Sequence, residues 1–202
     1  ATIEYSVEDT SQLTAGWQFT ANFEELAVES WKGAPGVTSA NGFLELSPGS
    51  GSVILDSQMF ELAFPTIYDN PLRYNELHGT IGIDWDKERL TLSSGKIVAR
   101  GVEGKATALF GLLVPFSKVE TGVEMELLVG LVDSNPIHRS KYLPRSLNAT
   151  LQGWLKNSIG EGRIREGAFL WRGSLAKEAV QHRTVQLFFD VLDTRVTYHP
   201  DW

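Results

Sequence analysis

Cysteine is absent from this 202-residue chain. Its absence excludes a disulfide framework, a cysteine-ligated metal and a thiol nucleophile, and is compatible with cytosol or periplasm alike. No apolar run reaches the ~18 residues that a membrane-crossing helix requires. An excess of basic charge is also missing: 18 Lys and Arg stand against 25 Asp and Glu, a net −7. Nucleic-acid partners select a basic face, so this balance argues against one. There is no Gly-x-Ser-x-Gly elbow and no Gly-x-Gly-x-x-Gly loop. The four histidines, His78, His138, His182 and His199, are far apart and show no metal-ligand spacing. The chain begins at Ala1 without methionine or a leader pattern and ends on Tyr198-His199-Pro200-Asp201-Trp202 in strand-like text. Both ends read as cuts, which predicts a piece of a longer protein.

What the chain does have is alternation. After a polar stretch, 1–12, Trp17, Phe19, Ala21 and Phe23 alternate with Gln18, Thr20 and Asn22. Leu26 to Ser30 reads as a second short strand. Phe43–Leu46 and Ser52–Asp56 form a hairpin around a five-residue loop, 47–51. Phe60–Phe64 reads as a short or edge strand, followed by an irregular loop broken by Pro65, Asn70 and Pro71. From Gly79 the pattern clears. Ile81, Ile83 and Trp85 share a face, Leu90 and Leu92 share the next, and Ser94-Gly95 reads as a turn before Ile97 and Ala99. A strand from Lys105 to Pro115 precedes Val123–Leu131, where Met125, Leu127 and Val129 alternate with polar partners. Arg163–Arg172, Thr184–Val191 and Arg195–Tyr198 continue the series.

Short connections between alternating strands predict antiparallel neighbours, hence a meander. The fold class is mainly β, in one β-rich unit, 1–202: strands over 16–140, a helical insertion over 141–162, and strands again over 163–202. One face is apolar almost throughout and must be closed off from water. A barrel, a sandwich and a curled trough all satisfy that need, and periodicity does not choose among them.

The insertion is the single break in pattern. Leu147, Leu151, Trp154, Leu155 and Ile159 recur at helical spacing, predicting one amphipathic helix over about 146–159. Pro144 and Ser146 are start signals, Gly160 and Gly162 stop signals. Its apolar face must cover something, as a plug, a lid over strand residues, or simple packing.

Candidate chemistry is sparse. Asp84 with Asp86, and Glu124 with Glu126, are paired carboxylates of the kind glycosidases use. With six Trp and five Tyr, they make a β-sandwich sugar-binding module or glycosidase the alternative reading. The simpler reading of both pairs is a solvated strand face. No catalytic residue, cofactor or metal is expected.

Several segments carry a resemblance. Tyr142-Leu143-Pro144, Trp154-Leu155, Gly160 to Gly162, Gly167 and Trp171-Arg172-Gly173 at their spacings resemble the YhdP family, as do Phe189-Asp190-Val191 and Tyr198 to Trp202. The match is tight over 141–202. It is looser over 16–140, through Pro35-Gly36-Val37, Gly42-Phe43-Leu44, Leu77-His78-Gly79 and Ile83-Asp84-Trp85. The chain departs from the family's pattern at Ala176–Thr184, which lacks the expected glycine and proline. The family comprises large periplasmic proteins of Gram-negative bacteria in the AsmA-like superfamily, related to TamB. The resemblance implies a long curled antiparallel sheet forming a hydrophobic trough. It implies a passive, non-enzymatic conduit for phospholipid acyl chains between inner and outer membranes. It also implies a periplasmic fragment, anchored to the inner membrane by a segment not present in this chain, that meets both membranes through parts outside it. The implied trough lining is Ile81, Ile83, Trp85, Leu90, Leu92, Ile97, Met125, Leu127, Val129, Trp171, Leu187, Phe189 and Val191. An excised sheet exposes edges at both ends, which predicts edge-to-edge self-association.

Overall fold

The computed structural model describes residues 16–31, 33–158, 162–176, 178–179, 182–195 and 197. The strands are β1 (Phe19–Val28), β2 (Gly36–Ser47), β3 (Ser50–Ala63), β4 (Leu72–Trp85), β5 (Arg89–Ser94), β6 (Ile97–Gly101), β7 (Gly104–Pro115), β8 (Glu124–Ser134), β9 (Arg163–Ser174) and β10 (Arg183–Leu192). They form one antiparallel sheet in the order β1-β2-β3-β4-β5-β7-β8-β9-β10, with β6 between β4 and β7. The first and last strands each keep one unpaired edge within this path.

The meander expected from alternation is therefore present, with four local corrections. Ser94-Gly95 is not a turn. β5 and β6 run in one direction as a single interrupted strand. Four steps, Ser94 to Val98, lie opposite three on β4, Ile81 to His78, so one residue bulges out. Ser94 Oγ fills the gap by accepting the Phe110 N–H at 2.7 Å, and the Gly95 N–H donates to the Thr80 carbonyl at 2.9 Å. Second, of the expected edge strand Phe60–Phe64, Phe60–Ala63 completes the 14-residue β3, with β2 and β4 on its two sides, and Phe64 falls just past its end. The irregular loop is correspondingly shorter, because β4 starts at Leu72. Third, Leu26–Val28 belongs to β1, continued through a bulge. Fourth, the first hairpin closes on Pro48-Gly49 alone, with Ser47 opposite Ser50 and Gly49 at φ 82°, a conformation glycine adopts without steric cost. Of the expected strand Arg195–Tyr198, Val196 and Tyr198 lie outside the described residues.

Positive-φ residues on three adjacent strands, Glu25 (49°), Ser39 (57°) and Met59 (53°), mark a crease across β1–β3. Register slips there on both ladders of β2. The slip deprives Asn41 of its ladder partner, and Ser57 replaces it. Ser57 Oγ accepts the Asn41 N–H at 2.8 Å and donates to the Asn41 carbonyl at 3.1 Å. Asn41 Oδ1 in turn accepts the Glu25 N–H at 2.8 Å. Ser57 is fully buried, so this satisfaction is obligatory. Beyond the crease the apolar residues of β3 change parity, from Val53 and Leu55 to Phe60 and Leu62. Phe60, Ala40, Leu77 and Ala99 pack there as the buried core, flanked by Phe23, Val37, Leu55, Leu62, Tyr74, Ile97 and Ala106.

The insertion after β8 comprises a 3-10 helix, Pro136–Tyr142, and α1, Ala149–Ser158. α1 starts later than Ser146 suggests, because Asn148 caps it: its Oδ1 accepts the Leu151 N–H at 2.8 Å and its carbonyl the Gln152 N–H at 2.9 Å. At the other end Arg139 donates to the carbonyls of Leu155 and Lys156, satisfying the free end of the helix. Among the described residues no helix is long and apolar enough to cross a membrane.

Candidate functional site

In an antiparallel ladder, directly opposed residues point to the same side. Following the register therefore maps each face. One line of opposed residues runs unbroken across the sheet: Phe19, Leu46, Gly51, Ile83, Leu92, Leu112, Met125, Gly173, Arg183. A parallel line on the same face joins Leu77, Ala99, Ala106, Leu131, Gly167 and Phe189. Between them lie Ala21, Leu44, Val53 and Ile81 on one side of the sheet and Phe110, Leu127, Trp171 and Val185 on the other. Val129, Phe169 and Leu187 form a further row. Trp85 opposes Leu90, one step above Ile83 and Leu92. Ile97 precedes Ala99 by two residues on β6, and Val191 continues the alternation of Phe189 past a bulge.

All thirteen residues expected to line a trough are thus brought to one face. Most are half-buried, and the three on β10 are more open: Leu187 is 64% exposed, Phe189 44% and Val191 43%. Several large side chains lie over glycines of the neighbouring strand. A Cβ on Gly42 would come within 2.8 Å of the Phe23 ring, on Gly79 within 2.8 Å of Ile97 Cγ1, and on Gly167 within 2.8 Å of the Phe189 ring. These side chains lie along the sheet and keep the apolar face low.

The opposite face is laced with polar and charged pairs between directly opposed residues. Glu61 meets Arg73 at 2.7 Å, Asp56 meets His78 at 2.9 Å, Glu76 meets Arg100 at 3.5 Å and Glu126 meets Arg172 at 2.8 Å. Asp84 and Glu124 sit on this exposed face, and Glu126 is occupied by Arg172. Asp86 belongs to the β4–β5 turn, where its Oδ1 accepts the N–H groups of Glu88 and Arg89; those bonds hold its pKa down. The paired carboxylates expected for a glycosidase therefore do not converge on a cleft. No group of metal-ligating side chains forms among the described residues.

The helix differs from expectation in its packing. Leu151 and Trp154 remain 38% and 40% exposed, while Leu147 and Leu155 are half-buried; Ile159 lies outside the described residues. Two of the contacts that hold α1 come from its own insertion: Arg139 donating to the Leu155 carbonyl at 2.9 Å, and Gln152 Nε2 donating to the Pro144 carbonyl at 3.1 Å. Its apolar side is not sealed against the strands.

What ties the insertion to the sheet is a polar clip with no signal in the sequence. Glu103, in the tight β6–β7 connection, is 8% exposed. Its Oε1 accepts Lys141 Nζ at 2.8 Å and the Tyr142 hydroxyl, and Lys141 also donates to the Arg73 carbonyl at 3.0 Å. Lys141 Nζ lies 5.5 Å from the Tyr74 ring centroid and 5.6 Å from that of Tyr142. Burial alone would raise the Glu103 pKa, but the hydrogen bonds from Lys141 and Tyr142 outweigh it and the net shift is downward. Burial pushes Tyr74 up to about 12 and Tyr142 upward as well. Further along, Arg145 pairs with Asp69 and donates to the Pro65 carbonyl at 3.0 Å.

A single antiparallel meander with one continuous apolar face and one ion-paired face defines a protein that presents an extended apolar surface on a β scaffold. The family described as YhdP protein matches residues 4–202, and the chain belongs to that family. This is a transport-type family of the bacterial envelope, and membership implies a role related to lipid transport. No curated protein and no solved structure matches the chain.

Proposed function

We propose that this chain is one section of a non-enzymatic hydrophobic conduit, in which phospholipid acyl chains lie on the apolar face and move along it. The observation that carries this reading is the unbroken line from Phe19 to Arg183 across the sheet from β1 to β10. Strands spaced ~4.8 Å apart make that line about 38 Å wide. Covering each acyl CH₂ contributes ~0.8 kcal/mol. An aliphatic wall with few directed hydrogen bonds gives no single position a deep minimum, so a chain slides rather than sticks. The thirteen face residues are the lining of this path. In the same reading the section works in the periplasm, within a protein held to the inner membrane by another segment, and the lipid passes between the two membranes.

Among the described residues β1 and β10 each keep an unpaired edge, and there the sheet would continue in a longer polypeptide. In the isolated section they favour edge-to-edge association. Light scattering at rising concentration should reveal it, and a strict monomer at millimolar concentration would remove this part of the proposal. For the conduit itself the test is native mass spectrometry of the purified chain. Co-purifying phospholipid is expected, with retention lowered by Ile83→Asp and by Leu127→Asp. A chain that carries and binds no lipid defeats the reading.

A further inference from the structure

We propose that Arg183, stacked on Trp171, binds the phosphate of a lipid whose acyl chains occupy the apolar face; the inference rests on the conduit reading and adds a headgroup subsite to it. The long apolar line ends on this cation, at its β10 end. Along the paired residues of β8–β10 on that face the ionisable one is Arg183, and the nearby charged residues that the ladders skip are Asp133 and Arg165. Asp133 is paired with Arg163 and Arg165 with Asp190. Among the described residues Arg183 has no carboxylate partner. Two of its groups are spent on main-chain carbonyls: Nε donates to Ser174 at 2.8 Å and Nη2 to Ala176. Its guanidinium carbon stands 5.6 Å from the centre of the Trp171 ring.

These contacts fix the plane of the guanidinium and leave donors on Nη1 and Nη2 unused, since the group carries five N–H bonds. A half-buried guanidinium without an anion forgoes the charge-assisted bonds it is built to make. Phosphate oxygens match its fork, which is why arginine rather than lysine recurs at bidentate phosphate sites. The position also suits an amphiphile. The charge lies where the apolar rows Leu127–Trp171–Val185 and Met125–Gly173–Arg183 meet the open edge of β10. Phosphate there leaves the chains on the aliphatic rows and the headgroup near water.

Native mass spectrometry of the delipidated chain tests this with four probes: dioleoyl-phosphatidylglycerol, dioleoylglycerol, oleate and inorganic phosphate. Phosphatidylglycerol should be retained about tenfold better than dioleoylglycerol, the size of one charge-assisted hydrogen bond. Arg183→Gln should lower phosphatidylglycerol to the dioleoylglycerol level and leave dioleoylglycerol unchanged. A folded Arg183→Gln that keeps the preference overturns the proposal. So does wild-type protein that holds both lipids equally, or displacement of phosphatidylglycerol as readily by oleate or by inorganic phosphate as by itself. Where Arg183→Gln fails to fold, the wild-type ratio decides, with Arg183→Lys expected to retain part of the preference. Retention of neither lipid defeats the conduit reading instead, whereas retention of dioleoylglycerol without a phosphate preference defeats only the subsite.

Discussion

The crease end of β2–β6 and the outer strand β10 are built from the same alternating text, yet they end in different environments. At the crease, Phe60 is 4% exposed, Leu77 6% and Ala99 8%. On β10, Val185 is 54% exposed, Leu187 64% and Phe188 57%. What separates them is what lies against each strand. Around Phe60 the bulges at Glu25, Ser39 and Met59 reorient the strands, so residues of both parities meet in one cluster. Among the described residues β10 has a neighbour on one side only, and its register slip, at Asp190/Val191, gathers no buried core. Alternation thus makes a surface apolar, while bulges decide whether that surface becomes a core. The first region stabilises the chain, and the second remains open for something else to cover.

The comparison can be broken or sharpened by experiment. Phe60→Ala should produce the largest loss of stability, about 3–5 kcal/mol, because it empties the buried cluster; denaturant midpoints measure it, and a loss below 1 kcal/mol would mean that the crease is no core. Ser57→Ala comes next. It leaves the Asn41 N–H and carbonyl buried without partners, at about 1–3 kcal/mol, and hydrogen exchange at Asn41 should accelerate.

Glu103→Gln should act more weakly, at about 1 kcal/mol, and it carries a pH signature. A carboxyl whose folded pKa is depressed contributes stability above its ordinary value of 4.5 and loses it as pH falls through the lower folded value. The wild-type melting temperature should therefore drop more steeply than that of Glu103→Gln below pH 4.5. At the alkaline end the sign reverses. Tyr74, pushed up to about 12 by burial, contributes stability that is complete below pH 10 and fades as pH rises through 12.

Smallest of all should be Leu187→Ser on β10 and Leu151→Asp on α1, each within about 0.5 kcal/mol because both sites are exposed. A large destabilisation by Leu151→Asp would restore the idea that α1 seals the sheet. Leu187→Ser should lower lipid retention while the melting temperature holds, which is the sharpest separation of the two regions.

Much of the fold was legible residue by residue. Ile81, Ile83, Trp85, Leu90 and Leu92 alternate cleanly, and their shared face follows from a period of two. The bulges were not legible, because Asn41-Gly42 and Ser94-Gly95 carry turn chemistry, yet the first lies within β2 and the second at the break between β5 and β6, where the chain runs straight on. A glycine or asparagine in a strand text also signals a bulge, and only pairing on both sides tells the two apart. Glu103 looked like any acidic residue in a glycine-bounded turn. Its partners lie 38 and 39 positions away, a distance at which local pattern is silent. Arg183 gave no signal either, since a charged residue opening a strand is ordinary until its opposed partners are known.

By itself the sequence determined that this protein is an antiparallel meander with one apolar and one charged face, since side-chain direction along a strand depends only on parity. The tertiary structure decided where that apolar face is buried, what clips the insertion to it and which cation stands at its end. Those outcomes depend on register shifts and on contacts between residues far apart in the chain, and neither is encoded in local periodicity.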